Sequence, residues 1–248
     1  MILQLSPKEF ISDFINPIND LNREGRIALF CNGAELYSIS TTKARTINLF
    51  NTYKPINITD PVDRCSLNVI KLIKGLQCVM QDEMFVSLEI VKEGDAPMCS
   101  FASKEIRFNI RLLDDNLVDV PKFNVESFKK FTMHHTVSVN ADKVSNIKKA
   151  LEFSTDTSKF YLEQEDEKLF FFFGDRGSTS NHSDDIKILV ADDVKTTLPA
   201  KIYDVDILKL VLKSKNDFSM KLNDNGVMFI EIENNNANLK YITTPLIK

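Results

Sequence analysis

The stretch RIALFCNGAELYSIS, residues 26–40, predicts a β-hairpin. Asn32-Gly33 is the dipeptide that two-residue hairpin turns favour, and strand-forming residues stand on both sides of it. A second hairpin is predicted at residues 159–173, which begins 133 residues later. Leu36 and Leu169, at corresponding places in the two hairpins, are also 133 residues apart. The two stretches therefore predict an internal repeat.

The elements around the two hairpins support this repeat. A helix is predicted before each hairpin, from Ser6 with a bend at Pro17 in the first copy and from Asn140 to Leu151 in the second. After each hairpin the pattern predicts a strand, a second helix and further strands. These later elements are 45–51, 63–77, 84–92 and 104–113 in the first copy and 186–190, 204–213, 218–222, 227–233 and 239–243 in the second. We therefore expect a duplicated α+β fold with helices on one side of antiparallel sheets, in domains 1–113 and 131–248 joined by a connector at 114–130.

The composition is that of an ordinary globular protein. Of the 248 residues 43% are apolar and 27% are charged, and the formal net charge is -4. Only 7 glycines and 8 prolines are present, which disfavours glycine-rich phosphate loops and long flexible linkers. No run of 18 apolar residues predicts a membrane span, and the start MILQLSPKEF lacks the pattern of a signal peptide. We therefore expect an intracellular protein of the cytoplasm or nucleus.

Motifs of catalytic or metal centres are missing from the sequence. The four cysteines, Cys31, Cys65, Cys78 and Cys99, have no metal-ligand spacing, which favours reduced thiols. His134 and His135 are adjacent in a predicted strand, so their side chains point to opposite faces and do not grip one metal ion. The pairs of adjacent aspartates lie beside predicted turns, where exposure to water accounts for their presence without a catalytic role. The sequence predicts no enzyme, no metal and no cofactor.

Basic residues gather on the outer faces of three predicted helices. Each helix buries an apolar face and presents lysine or arginine on the opposite one. These basic residues are Arg64, Lys71, Lys74, Lys143, Lys148, Lys149, Lys209 and Lys213. Solvation of an exposed face explains one such helix, but recurrence on three helices of a duplicated fold favours a polyanionic ligand.

The connector combines acidic and apolar residues. Leu117, Val118, Val120 and Pro121 stand among aspartates in a segment where a plain linker is more polar. Apolar side chains at such a place indicate either packing on a sheet or a docking surface for another protein.

The last residues carry a resemblance to a known family. Asn238-Leu-Lys-Tyr-Ile-Thr-Thr-Pro245 resembles the ending of the proliferating cell nuclear antigen (PCNA) family of DNA sliding clamps. The helix at Asp206–Lys213, with the strand–turn–strand after it, is similar to the last helix and hairpin of that family. The duplicated order and the apolar, acidic connector match as well, so the resemblance covers essentially the whole chain.

The resemblance implies a homotrimeric ring that encircles duplex DNA and tethers a DNA polymerase, with a clamp loader as a further partner. It implies that the basic residues of the helices, from Arg64 to Lys213, are the DNA-binding residues. It implies a docking surface beside the connector, made with Ile39, Val227, Ile242, Thr244 and Pro245. It implies subunit seams between strand 104–112 of one chain and strand 186–190 of the next. The apolar seam residues are then Ile106, Phe108, Ile110, Ile186 and Ile188.

Three features depart from the family. The first helix is acidic, a long loop occupies residues 175–185, and no acidic tail follows Lys248. This divergence favours a viral or phage clamp. Two other functions are also compatible with the sequence. One is a monomeric viral polymerase processivity factor of the same fold, and the other is a scaffold or inhibitor protein that does not bind DNA.

Overall fold

The computed structural model describes residues 1–94, 96–121, 132–174, 185–198, 200–214 and 217–246. The second half of the predicted connector, 122–130, and most of the loop 175–185 lie outside these residues. The chain forms two compact units. The first comprises residues 1–123 and 233–239, and the second comprises 124–232 and 240–248.

The first unit alternates helices with short strands. Its elements, in chain order, are β1 (Ile2–Leu5), α1 (Pro7–Glu9), a π-helical segment (Phe10–Ile15), α2 (Asn16–Leu21), β2 (Arg26–Asn32), β3 (Glu35–Thr41), β4 (Ile47–Tyr53), β5 (Asn57–Thr59), β6 (Arg64–Asn68), α3 (Val69–Val79), β7 (Val86–Val91), β8 (Met98–Ala102), β9 (Arg107–Arg111) and a 3₁₀ turn (Asp115–Leu117).

Two antiparallel sheets organise this unit. One has the strand order β5-β1-β7-β8-β9, and the other contains β4-β3-β2-β6. Segment 233–239, which belongs to the first unit, lies against β4, where the Lys54 N–H donates to the Asn236 carbonyl at 2.7 Å. Strand β9 has a hydrogen-bonded neighbour on one side alone, so it is an edge strand of its sheet.

The helices of the first unit cover its apolar core. Phe10 and Phe14 are fully buried and lie against Tyr53 with ring centroids 5.1 and 5.6 Å apart. The helix does not stop at Pro17. Proline has no N–H to donate, and the π-helical segment before it shifts the bonding pattern, so that the Asn16 N–H donates to the Ile11 carbonyl.

The second unit repeats the plan. Its elements are β10 (His135–Val139), α4 (Ala141–Phe153), β11 (Lys159–Glu165), β12 (Lys168–Phe173), β13 (Ile186–Ala191), β14 (Lys201–Asp204), α5 (Asp206–Val211), a 3₁₀ turn (Leu212–Ser214), β15 (Phe218–Leu222), β16 (Met228–Glu233) and β17 (Ala237–Thr243), whose residues up to 239 belong to the first unit. The sheet order β13-β12-β11-β14 makes β13 an edge strand.

The α+β fold class is confirmed, and the predicted elements occur in the predicted order, with β1, β5, β6, β8 and β14 as strands that the sequence analysis did not predict. Helix α4 begins where predicted, because the Asn140 side chain accepts a hydrogen bond from the Lys143 N–H at 3.1 Å. The turn of the first hairpin is one residue later than predicted. Asn32 pairs with Glu35, so Gly33 and Ala34 form the turn, and Gly33 supplies the positive φ of 62° that such a turn requires.

The strand predicted at 104–113 is wrong in extent. Within it β9 spans Arg107–Arg111 alone, and residues 103–106 form the turn that joins β9 to β8, closed by the Ser103 N–H donating to the Ile106 carbonyl at 2.8 Å. Neither glycine nor proline marks this turn, so the composition of the segment hides it.

Candidate functional site

Helix α3 presents two lysines on its solvent side. Leu72 and Leu76 are fully buried, and Lys71 and Lys74 are exposed on the opposite face. Neither lysine forms an ion pair with a residue in the described ranges. The Asn68 side chain caps the helix by accepting from the Lys71 N–H at 2.9 Å. These ammonium groups are therefore available to an anionic ligand.

The position of α3 is fixed by a glycine. A methyl group at Gly75 would stand 2.7 Å from the ring of Phe101 and 3.4 Å from that of Phe108. The two rings stack with centroids 5.4 Å apart on β8 and β9. The helix backbone can approach the sheet this closely because position 75 has no side chain.

Arg64 does not belong to the helical basic face, and the prediction for this residue is wrong. Arg64 lies in β6, and the helix begins five residues later at Val69. Its Nη2 donates to the carbonyls of Asp115 at 2.7 Å and of Val118 at 3.0 Å. The guanidinium is thus engaged with the connector of its own chain.

Helix α4 carries its lysines in three settings. Lys143 is half-buried, and its ammonium lies 3.8 Å from the carboxylate of Asp192. Lys148 is half-buried, and Lys149 is exposed. The last two form no ion pair among the residues that the structure describes. The DNA-binding role predicted for the three lysines stays a prediction.

Helix α5 is shorter than predicted and ends in a 3₁₀ turn. It spans Asp206–Val211 and is followed by Leu212–Ser214. Lys209 and Lys213 are both exposed, and the ammonium of Lys209 is 3.0 Å from the Asp206 carboxylate. An exposed pair of this kind contributes at most about 1 kcal/mol, so Lys209 can exchange this partner for a phosphate.

The acidic first helix has a structural use. The Glu9 carboxylate accepts a hydrogen bond from the Asn236 side chain at 2.7 Å, which holds the 233–239 segment in the first unit. Burial raises the pKa of Tyr53, and the negative charges of Glu9 and Asp13 raise it further. Of these acids, Glu9 has a structural role through its hydrogen bond to Asn236.

The first part of the connector is fixed to the first unit by charged groups. The Asp115 carboxylate accepts from Lys92 Nζ at 2.9 Å and from the Ser66 hydroxyl at 2.7 Å. Burial raises the pKa of Asp115, but the hydrogen bonds from Lys92 and Ser66 and the charges of Lys92 and Arg64 outweigh it, so the pKa lies below its ordinary value. We call these four side chains, Arg64, Ser66, Lys92 and Asp115, the connector latch.

The latch exposes one apolar residue of the connector and buries another. Leu117 is 55% exposed, whereas Val118 is 7% exposed. Val120 and Pro121 are half-buried, and so is Ile39 on β3. The prediction that Val118 is available for docking is therefore wrong, because its side chain belongs to the core of the first unit.

The docking residues predicted in the second unit also differ in exposure. Val227 and Pro245 are half-buried and Thr244 is exposed, but Ile242 on β17 is 4% exposed. Ile242 contributes to the core, so its predicted docking role is wrong. The Leu246 N–H donates to the Ile202 carbonyl at 2.8 Å, which fixes the end of the described chain along β14.

The predicted seam strands β9 and β13 are both edge strands, as the prediction requires. Their apolar side chains do not face outward, however. Ile110 and Ile188 are 6% and 9% exposed, and Phe108 and Ile186 are half-buried. Ile106 is 44% exposed but lies in the turn before β9. Ile110 and Ile188 are buried in their own units, so a substitution at either position affects folding as well as any assembly.

Two arginines on β9 join the candidate residues, although the sequence pattern did not single them out. Arg107 and Arg111 are exposed, on the face of the strand opposite to Phe108 and Ile110. Neither forms an ion pair with another residue of the described ranges. The alternation of Arg107, Asn109 and Arg111 with two apolar residues is the signal that could have identified them.

The described residues were compared with the arrangements that metal ions and reactive thiols need. Within the described residues no group of three or more His, Cys, Asp and Glu side chains is arranged to hold a metal ion. Burial raises the pKa values of Cys65 and Cys99 to about 12, so both are protonated thiols. No helix among the described residues is long and apolar enough to cross a membrane.

Comparison with known proteins identifies the fold. No family model matches the sequence, and no curated protein matches it. Among solved structures, the chain is similar to PCNA of A. fulgidus, in a complex with the C-terminal region of FEN-1, with a TM-score of 0.73, 12% identity, and 100% of this chain and 98% of that chain covered.

Two further structures agree. PCNA of Thermococcus kodakaraensis gives a TM-score of 0.72 at 14% identity with 99% of each chain covered. A chain of the PCNA2–PCNA3 complex of Sulfolobus tokodaii gives 0.70 at 9% identity, again with 99% of each chain covered. The whole chain therefore has the PCNA clamp fold.

Proposed function

We propose that this protein is a DNA sliding clamp: three copies form a ring around duplex DNA and tether a DNA polymerase to it. The clamp fold supports this proposal over its full length. The observation that carries it is a pair of open strand edges, β9 and β13, one in each copy of the repeat.

The repeat itself indicates what completes these edges. Strand β17 is the last strand of the second copy of the repeat. Its first residues belong to the first unit, where they lie beside β4. By position in the repeat, β9 corresponds to β17 and β13 corresponds to β4. The same junction can therefore form between β9 of one chain and β13 of another, and unpaired backbone groups at an edge favour such an addition. Each chain has one edge of each kind, so the contact is head-to-tail, which is the kind of contact that builds a ring when the rotation between subunits closes.

The lysines of the helices suit a ring that slides. Lys71, Lys74 and Lys149 are exposed and free of ion pairs with described residues. Ammonium groups that meet phosphates hold a duplex without reading its bases, and a modest number of such contacts permits movement along it. The whole chain has a net charge of -4 in spite of these lysines, which discourages binding of DNA to the remaining surface. Processivity then comes from encirclement and not from tight binding.

Docking of other replication proteins is assigned to the connector. The connector latch holds Leu117 out in solvent, and an exposed leucine on a fixed backbone is a suitable anchor for a partner peptide. The A. fulgidus PCNA of similar fold is described in complex with the C-terminal region of FEN-1. For this chain we propose a polymerase and a clamp loader as partners, a role without catalysis, and an intracellular location.

The mass of the protein in solution tests the ring. Three chains of 28.3 kDa give about 85 kDa, which we expect from light scattering at micromolar concentration. A mass of one chain contradicts the ring and favours a monomeric processivity factor of the same fold. Retention of such a monomer on linear duplex separates that function from a scaffold protein that does not bind DNA.

A further inference from the structure

The turn between α3 and β7 exposes three large apolar side chains. Met80 is 41% exposed, Met84 is 77% exposed and Phe85 is 50% exposed. Single apolar side chains are common on protein surfaces, but a group of them marks a place where another molecule binds. Methionine suits such a place because its flexible, polarisable side chain adapts to the shape of a partner. We call residues 80–85 the methionine turn.

The backbone of the methionine turn is held in place at both ends. The N–H groups of Asp82 and Glu83 both donate to the Val79 carbonyl at 3.1 Å, which closes the end of α3. After the turn, Val86 is buried and pairs with Leu5 of β1. The exposed side chains therefore stand on an ordered backbone, so that little further conformational entropy is lost when a partner binds.

Two acids lie between the apolar side chains of the turn. Asp82 is exposed and Glu83 is half-buried, and neither forms an ion pair with a residue that the structure describes. The turn contains no lysine or arginine. Exposed apolar side chains together with unpaired carboxylates are complementary to a segment that combines apolar side chains with basic ones.

The same acids disfavour other occupants of the turn. The phosphates of DNA and of an anionic membrane surface are repelled by carboxylates. A second copy of this chain that docked turn against turn would bring Asp82 and Glu83 of both copies together, and their like charges would repel. A positively charged protein segment meets neither obstacle.

We infer that the methionine turn is a docking surface for a basic amphipathic helix of a partner protein. Such a helix presents an apolar stripe with lysine or arginine along its margins. The stripe covers Met80, Met84 and Phe85, and the basic residues reach Asp82 and Glu83. The inference does not rest on the proposed ring, because every residue that it uses belongs to the first unit of one chain.

The methionine turn is separate from the proposed docking site on the connector. The connector latch is attached to β6, which leads directly into α3 at Val69. The turn follows the other end of α3, and a helix of 11 residues is about 16 Å long. One partner can therefore bind at Leu117 while another binds at the turn.

A synthetic helical peptide of leucine and lysine, with the leucines at helical spacing, is the probe for this surface. Fluorescence anisotropy of a dye on the peptide measures its affinity for the full chain. Met84→Ser with Phe85→Ser is expected to weaken binding about tenfold or more, because two apolar contacts are lost. Asp82→Asn with Glu83→Gln is expected to weaken binding and to reduce its dependence on NaCl concentration.

Three controls accompany these variants. Val91→Ser with Ile106→Ser removes two side chains of the first unit that are 46% and 44% exposed, and it is expected to leave the affinity unchanged. Leu117→Ser, in the connector, is expected to leave it unchanged as well. A peptide with glutamate in place of lysine is expected not to bind, because the acids of the turn repel it.

The outcomes distinguish this surface from the alternatives. Unchanged affinity in Met84→Ser with Phe85→Ser, when that variant is folded by circular dichroism, overturns the inference. Equal binding of the glutamate peptide overturns the selection by charge. Binding that is lost in Leu117→Ser places the peptide on the connector and also overturns the inference. Any of these results leaves the proposed ring standing, because the ring is tested by its mass and not by this peptide.

Discussion

Lys92 Nζ lies 2.9 Å from the Asp115 carboxylate and also donates to the carbonyl of Arg64 at 2.9 Å. One ammonium group thus joins the connector to β6 at Arg64, the residue whose guanidinium also donates to two connector carbonyls. This arrangement determines which apolar side chain of the connector reaches solvent.

Replacing Asp115 with alanine is expected to lower the free energy of unfolding by about 1–2 kcal/mol, because Lys92 and Ser66 lose a shared acceptor and Arg64 loses an ion-pair partner. Urea unfolding measures this decrease. Asp119→Ala is the matched control. The side chains of the Arg45–Asp119 ion pair are both more than three-quarters exposed, so this pair contributes little to the free energy of unfolding. Equal effects of the two variants would contradict the latch.

The same carboxylate gives the first unit a defined acid sensitivity. The pKa of Asp115 is lower in the folded protein than its ordinary value of 3.8. The ionised Asp115 carboxylate therefore stabilises the folded protein fully above about pH 4, and this stabilisation is lost as the pH falls through the folded-state pKa. Asp115→Asn removes this contribution, so its unfolding free energy is expected to fall less steeply with acid than that of Asp119→Asn. Parallel pH profiles would count against this role.

Gly75→Ala is expected to destabilise the protein by about 1 kcal/mol although alanine favours helices. The added methyl group would stand 2.7 Å from the buried ring of Phe101, and overpacking costs about 1–3 kcal/mol against a helical gain of about 1 kcal/mol. Adding Phe101→Leu makes room and is expected to recover part of the stability. A single variant more stable than the wild type in thermal melting would refute the close approach of α3 to the sheet.

Lys71, Lys74 and Lys149 are expected to contribute to DNA binding additively and without sequence preference. Their replacement with alanine should reduce the slope of log affinity against log salt by roughly 0.9 for each phosphate that the protein no longer neutralises. The measurement uses the ring loaded on DNA. Lys43→Ala with Lys54→Ala is the control, because these exposed lysines lie outside the helices. An unaltered slope in the triple variant rules out phosphate binding by these three residues.

Leu117→Ser is expected to weaken polymerase docking about tenfold or more, because it removes an exposed anchor and disturbs no core. Processive primer extension by the polymerase of the same cell measures the effect. Ile56→Ser is the matched control, since Ile56 has the same exposure, 55%, in another part of the first unit. Extension that survives Leu117→Ser while the ring stays trimeric places the docking site elsewhere.

The duplicated architecture was predictable because it rests on local signals. Asn140 marks a helix start by its capping side chain, and alternation marks the strands of the two hairpins. The first residues of α3 were not assigned correctly. The segment Arg64–Asn68 combines strand and helix formers, so the helical spacing of apolar residues continues into it from α3 and a longer helix is predicted. In the structure Asn68 caps the helix, which begins at Val69.

The candidate sites were less predictable because they depend on contacts between distant residues. Arg64 bonds carbonyls 51 and 54 residues away, and no local pattern indicates this. Val118 and Ile242 resemble exposed docking residues in sequence, and only the folded chain shows that they are buried. The face of β9 that carries Arg107 and Arg111 could have been inferred from alternation, but its status as an edge required the sheet order.

Encirclement of duplex DNA is the central claim, and retention on closed circular DNA tests it most directly. The protein is loaded by a clamp loader on a nicked circle, and the complex is isolated by gel filtration at a salt concentration that suppresses direct binding. We predict that the protein stays with the intact circle and is released when a restriction enzyme cuts the circle once. Equal retention on circular and linear DNA, or none on either, would contradict the account.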